Sequence, residues 1–156
     1  GAEDEFLLLL VHPAFSKHLA AREMGLHRVL DALTWLRTQP FDWRIVREQL
    51  DAEGVSTAGW AALRWAGLLA ATHAPEQIDG MVSDLRPGRL RAAWLSRWLE
   101  GNLSERTASA NWARLLAFSL FLHDTPGDVA RALAGRRQAR RRQADDLAAF
   151  GELLGK

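Results

Sequence analysis

Ser56-Thr57-Ala58-Gly59-Trp60-Ala61-Ala62-Leu63-Arg64-Trp65-Ala66-Gly67-Leu68-Leu69-Ala70-Ala71-Thr72 is the stretch that decides the fold class. Between Ala58 and Thr72 its only charge is Arg64, set among Trp60, Leu63, Trp65, Leu68 and Leu69. A helix that is apolar on nearly every side has to be enclosed by other helices. Ser56 is its expected N-cap, and the segment is the expected centre of the molecule. Elsewhere tyrosine is absent and runs of alternating β-branched residues are missing, so no segment reads as a strand. The expected fold is therefore all-α: one compact helical domain over residues 1–156, with about seven to eight helices around a central apolar helix near 56–72.

Working outward, a first helix is expected from Asp4 to Ala21, kinked by Pro13 or divided at His12 because proline lacks the amide that an inner turn needs. A second starts near Gly25, carries Leu26, Val29, Leu30, Leu33 and Leu36 on one face, and is ended by Pro40. Asp42 caps a third, which runs through Leu50 and ends at Gly54. A fifth uses Pro75 in its first turn and reaches Leu85; the Arg86-Pro87-Gly88 break separates it from a sixth through Glu100. Residues 101–108 read as a loop. Ser109 caps a seventh helix from Trp112 to His123, and Thr125-Pro126-Gly127-Asp128 reads as the cap, first-turn proline and acidic third position of the last helical stretch.

The composition bounds the function. With 48% apolar and 25% charged residues, the 156-residue chain is globular. A net charge of +1 leaves any attraction to nucleic acid or acidic lipid to a local cluster. Without cysteine there is no disulfide framework, thiolate metal site or cysteine nucleophile, which fits a cytoplasmic protein. The apolar run Phe6 to Val11 is too short for a membrane span and follows Glu3, Asp4 and Glu5 rather than the basic start of a signal peptide. Gly1 in place of methionine reads as a cleavage scar, with the chain expected to be the C-terminal part of a longer protein.

No phosphate-binding glycine loop, dinucleotide turn, Gly-x-Ser-x-Gly or His-Glu-x-x-His occurs, so no catalytic residues are assigned. His12 and His18 stand six apart, which on a straight helix turns them away from each other, and no metal site is assigned. His27 and Asp31 are spaced as a helical pair. Arg64 on its apolar helix either snorkels to solvent, pairs with a structural carboxylate or clamps an anionic ligand, and Asp31 is the partner of most interest. Trp94 and Trp98, among Arg86, Arg89, Arg91 and Arg97, have the makings of a base-stacking platform, although tryptophans at that spacing usually pack in a core. Arg136, Arg137, Arg140, Arg141 and Arg142 form the candidate anion-binding cluster, offset by Asp145 and Asp146.

Leu7-Leu8-Leu9-Leu10-Val11-His12, then Lys17-His18, Leu30-Asp31 and Phe41-Asp42-Trp43, together resemble the helical part of the bacterial "uncharacterised nucleotidyltransferase" family. The resemblance covers roughly Phe6 to Thr72, and more loosely Leu115 to Leu133 with Leu122-His123-Asp124. It implies an upstream polymerase-β-like domain whose Gly-Ser turn and spaced aspartates bind Mg²⁺ and a nucleoside triphosphate. No such turn or aspartate pair stands in this chain, so its residues cannot by themselves carry out metal-assisted nucleotidyl transfer.

By position in that family, His12, His18 and Asp31 are the candidate ligand-binding residues, joined by Arg64 from the burial argument. The leading expectation is a catalytically incomplete helical domain that contributes to nucleotide or acceptor binding, with the upstream domain as partner and no cofactor of its own. The alternatives are a helical interaction module that forms a homo-oligomer or docks on a partner through exposed tryptophan, and a nucleic-acid binder acting through the Arg136 to Arg142 cluster.

Overall fold

The computed structural model describes residues 1–15, 25–100, 112–131, 133–135 and 138. Their regular structure is helical, with no strand among the described residues, and the chain is all-α. It divides into two compact units, Gly1–Asp124 and Thr125–Lys156.

The first unit contains α1 (Ala2–Phe15), α2 (Gly25–Thr38), α3 (Trp43–Ala52), α4 (Ser56–Ala70), a 3₁₀ turn (Ala71–His73), α5 (Gln77–Asp84), α6 (Arg89–Leu99) and α7 (Trp112–Phe121). α4 is its centre and touches α1, α2, α3, α5 and α6. The reason is legible along the helix, where Thr57 to Leu63, Trp65 and Ala66 are all buried and only Arg64 interrupts the run. Around it Phe6 and Leu10 of α1, Leu50 of α3, Ile78 of α5 and Leu95 of α6 are almost completely buried. Each such side chain contributes roughly 1.5–3 kcal/mol by leaving water. Gly59 lets α3 and the end of α5 approach closely: a Cβ there would lie 2.9 Å from a Leu50 methyl and 3.2 Å from a Leu85 methyl.

Several boundaries depart from the sequence-based expectation. Of the two expectations at Pro13, α1 does not divide at His12 but runs through to Phe15, and the expected end at Ala21 lies outside the described residues. Asp42 does cap α3, its Oδ1 accepting the Arg44 N–H at 2.9 Å, and Gly54 turns the chain away with φ 66°. Ser56, the expected cap of α4, is instead its first helical residue, and the cap position is Val55. α4 gives way after Ala70 to the 3₁₀ turn, entered through Ala71 at φ 45°, and the Arg37 guanidinium donates to the carbonyl of His73 in that turn. Pro75 precedes α5 and accepts the Ile78 N–H at 3.0 Å. α7 ends at Phe121, short of His123.

In the second unit Thr125 and Asp128 form a reciprocal cap for the helical residues 126–131. The Thr125 N–H and hydroxyl donate to Asp128 Oδ2 at 2.9 and 2.6 Å, and the Asp128 N–H donates to Thr125 Oγ1 at 3.2 Å. This is capping-box geometry with aspartate in the acidic position. The Thr125 hydroxyl, with help from Arg131, holds the Asp128 carboxyl below the usual carboxylate range. Among the described residues no helix is long and apolar enough to cross a membrane.

Candidate functional site

The Arg86-Pro87-Gly88 break lies among a group of arginines and aspartates in the first unit. α5 ends at Asp84, the Arg86 N–H donates to the Ser83 carbonyl at 3.3 Å, and Gly88 accepts the Ala92 N–H at 3.0 Å to open α6. Because Pro87 cannot continue a helix, the chain turns here and leaves Arg86 at the rim of two clefts, one on either side.

The first cleft, of about 410 Å³, is lined by Arg47, Arg86 and Arg91 together with Asp51, Asp84 and Asp124. Its carboxylates already have structural partners. Asp124 Oδ2 accepts the Ser56 N–H at 2.7 Å, and its Oδ1 accepts the Thr57 N–H at 2.7 Å and the Thr57 hydroxyl at 2.6 Å. A residue 68 positions downstream thus supplies the cap of the central helix, and its negative charge sits where the helix dipole favours it. Arg91 Nη1 fastens the same corner, donating to the carbonyls of His123 at 3.0 Å and Asp124 at 2.9 Å. The Asp124 N–H closes it by donating to the Gly54 carbonyl at 3.1 Å. Asp84 accepts the Trp43 indole N–H at 2.9 Å, and Asp51 accepts the Ser56 hydroxyl. The floor of this cleft is a knot that holds α3, α4, α6 and the chain after α7 together.

The second cleft, of about 440 Å³, lies between α4, α5 and α6 and differs in character. Among the described residues Arg64, Arg86 and Arg89 line it against a single carboxylate, Asp79, together with Ser83 and Ser96. Arg64 Nη2 pairs with Glu100 Oε1 at 2.9 Å, both side chains being partly exposed, at 39% and 49%. No described ion pair engages Arg86 or Arg89. Trp60 and Arg64, four apart on one face of α4, both contribute to the lining, and the indole Nε1 and the guanidinium Nε are buried donors without an acceptor among the described residues. A buried donor left unmatched costs about 1–3 kcal/mol.

The expected site residues fall in different places. His12, exposed on α1, borders an apolar groove with Leu8, Leu9 and Trp35. Asp31 is exposed on α2. Arg64 has Glu100 as its partner in place of Asp31 and lines the α4–α5–α6 cleft, which does not include His12. His18 and the cluster Arg136, Arg137, Arg140, Arg141 and Arg142 lie outside the described residues, as does the expected cap Ser109. Trp94 stacks on Phe121 at 4.6 Å and Trp98 lies 5.3 Å from Phe118, so α6 spends both rings on packing against α7 rather than on an open stacking platform. Among the described residues no group of three or more His, Asp or Glu side chains is placed to hold a metal ion.

Trp60 and Asp124 are the members of this region that residue spacing does not single out. The unmatched indole of Trp60 becomes visible only when its surroundings are known, and Asp124 reaches α4 across the fold. Compared with protein-family models, with curated proteins and with solved structures, the chain has no match.

Proposed function

We propose that this chain is a catalytically incomplete helical binding domain whose arginine-lined face receives the anionic part of a ligand, in its most specific form the nucleotide of a nucleotidyltransferase-like protein. The observation that supports this reading is the pair of adjoining clefts sharing Arg86, with Arg47 at one side and Arg64 and Arg89 at the other. Guanidinium groups recognise phosphate and carboxylate through paired, charge-assisted hydrogen bonds, and several of them spaced along a surface suit a multiply charged ligand. The knot around Asp124 keeps that face preorganised, which limits the ordering cost of binding. Bond-making chemistry would come from a separate catalytic domain carrying Mg²⁺ and the reacting phosphates.

Thermal unfolding with a nucleoside triphosphate, the corresponding uncharged nucleoside and a salt-matched blank tests the reading. Preferential binding to the folded state adds about 2.7 kcal/mol at a ligand concentration of 100 times Kd. Stabilisation by the triphosphate that is lost in the R47Q/R86Q/R89Q variant is the expected result. Equal stabilisation by the nucleoside, or none by either, would discard it.

A second reading, a helical interaction module that associates with itself, draws on the groove beside His12, where Leu8 is 63% exposed. Sedimentation that depends on concentration, resists added salt and is abolished by L8E would favour it over the first.

A further inference from the structure

The α4–α5–α6 cleft combines a surplus of cationic side chains with buried donors unmatched among the described residues. Trp60 is only 3% exposed and its Nε1–H has no acceptor among the described residues. One helical turn on, Arg64 Nε–H is in the same condition. Indole and guanidinium nitrogens donate and never accept. A water can accept from two such donors, but its own two hydrogens then need acceptors in a cleft lined mainly by cationic side chains. An oxyanion offers acceptors only, and a tetrahedral one offers them in several directions. Arg86 and Arg89 also line the cleft, as do Ser83 and Ser96, and among its described lining residues Asp79 is the one carboxylate.

We infer that this cleft is a phosphoryl-binding subsite. The bound oxyanion displaces Glu100 from Arg64, accepts hydrogen bonds from Trp60 Nε1 and Arg64 Nε, and is held from the rim by Arg86 and Arg89. Displacement frees the Arg64 guanidinium, whose Nε is buried while its Nη2 is held against Glu100. It is accessible because an ion pair between two partly exposed side chains is weakly held. Glu100 then acts as an internal competitor that keeps the arginine neutralised until a ligand arrives. The inference rests on the proposed function in taking the ligand to be anionic, but it makes no use of the nucleobase or of an upstream domain.

The test is the indole region of an amide-correlation spectrum of the ¹⁵N-labelled full chain, titrated with inorganic phosphate against sodium chloride of matched ionic strength. The Trp60 Nε1–H resonance is assigned by through-bond experiments, with W60F as a check that is dispensable where that variant folds poorly. Phosphate should move the Trp60 resonance in a saturable way that chloride does not reproduce. The R86Q/R89Q variant, altered only at exposed positions, should weaken the apparent affinity roughly tenfold, and E100Q should strengthen it about threefold by removing the competitor. A Trp60 resonance indifferent to phosphate overturns the inference, and so does an E100Q variant that binds more weakly than the parent chain. Running the same titration with a nucleoside triphosphate separates the two readings. A triphosphate that binds without moving Trp60 removes the subsite and leaves the proposed function standing. Phosphate that moves Trp60, with a triphosphate binding no more tightly than phosphate does, keeps the subsite and removes the nucleotide.

Discussion

Replacing Asp124 should damage the central helix from a distance. Its carboxylate satisfies the Ser56 N–H, the Thr57 N–H and the Thr57 hydroxyl, at 2.7, 2.7 and 2.6 Å. Thr57 is buried while Ser56 is half-buried, so D124A strands one backbone amide and leaves the other to water. The stranded Thr57 amide costs about 1–3 kcal/mol and the lost cap at Ser56 about 1. The Thr57 hydroxyl retains a long contact at 3.5 Å as acceptor from Arg91, which spares part of its loss. D124A is therefore expected to cost about 3 kcal/mol. D124N preserves one acceptor oxygen for Thr57 but turns an NH₂ group toward the Ser56 N–H, and its expected cost is about 1.5 kcal/mol. With an unfolding entropy of about 2.1 cal/mol/K per residue, the alanine variant should melt roughly 10 °C lower. Urea unfolding followed by far-ultraviolet circular dichroism measures this directly, with the midpoint falling and the m-value unchanged. A double-mutant cycle with T57V should give a coupling of about 1 kcal/mol, since both changes remove the same hydroxyl bond. A loss below about 0.5 kcal/mol for D124A, or additivity with T57V, would refute the assignment of Asp124 as the cap of α4.

The same substitution at two glycines should have opposite signs. G59A forces its methyl into Leu50 and Leu85 and should destabilise by about 1 kcal/mol or more in chemical unfolding, despite its helix-propensity gain, whereas G80A on open α5 should stabilise by about 0.5–1 kcal/mol. R91K, which keeps the charge but loses the guanidinium that reaches the His123 and Asp124 carbonyls, should cost about 1 kcal/mol by the same assay; a neutral outcome would show that corner to be held by Asp124 alone. Because folding lowers the Asp128 carboxyl below its ordinary value of 3.8, the stability it lends residues 126–131 is present above that pH and is lost as pH falls through the lower folded value. Carboxyl chemical shifts followed by NMR should place the Asp128 midpoint closer to 3.8 in T125A, and an unmoved midpoint would exclude the Thr125 hydroxyl as the main cause.

Much of this protein was determined by its sequence alone. The apolar run from Ala58 to Leu69, the proline and glycine breaks at Pro40, Gly54 and Pro87, and the caps Asp42 and Thr125 act on their own neighbours within a turn or two. Short-range signals of that kind suffice to mark helices and to show which one must lie at the centre. The tertiary structure alone decided the rest. Arg64 announced itself as a cation in need of a partner, but only packing brought Glu100 to it from 36 residues away. Ser56 had the chemistry of an N-cap, yet Asp124 took that role because the end of α7 delivers a full negative charge to the same amides. The arginines around Pro87 were visible as a local cluster, whereas their juxtaposition with the unmatched Trp60 indole was not. Periodicity and capping are encoded in neighbouring residues, but satisfying a buried donor depends on whichever group the whole fold carries to it.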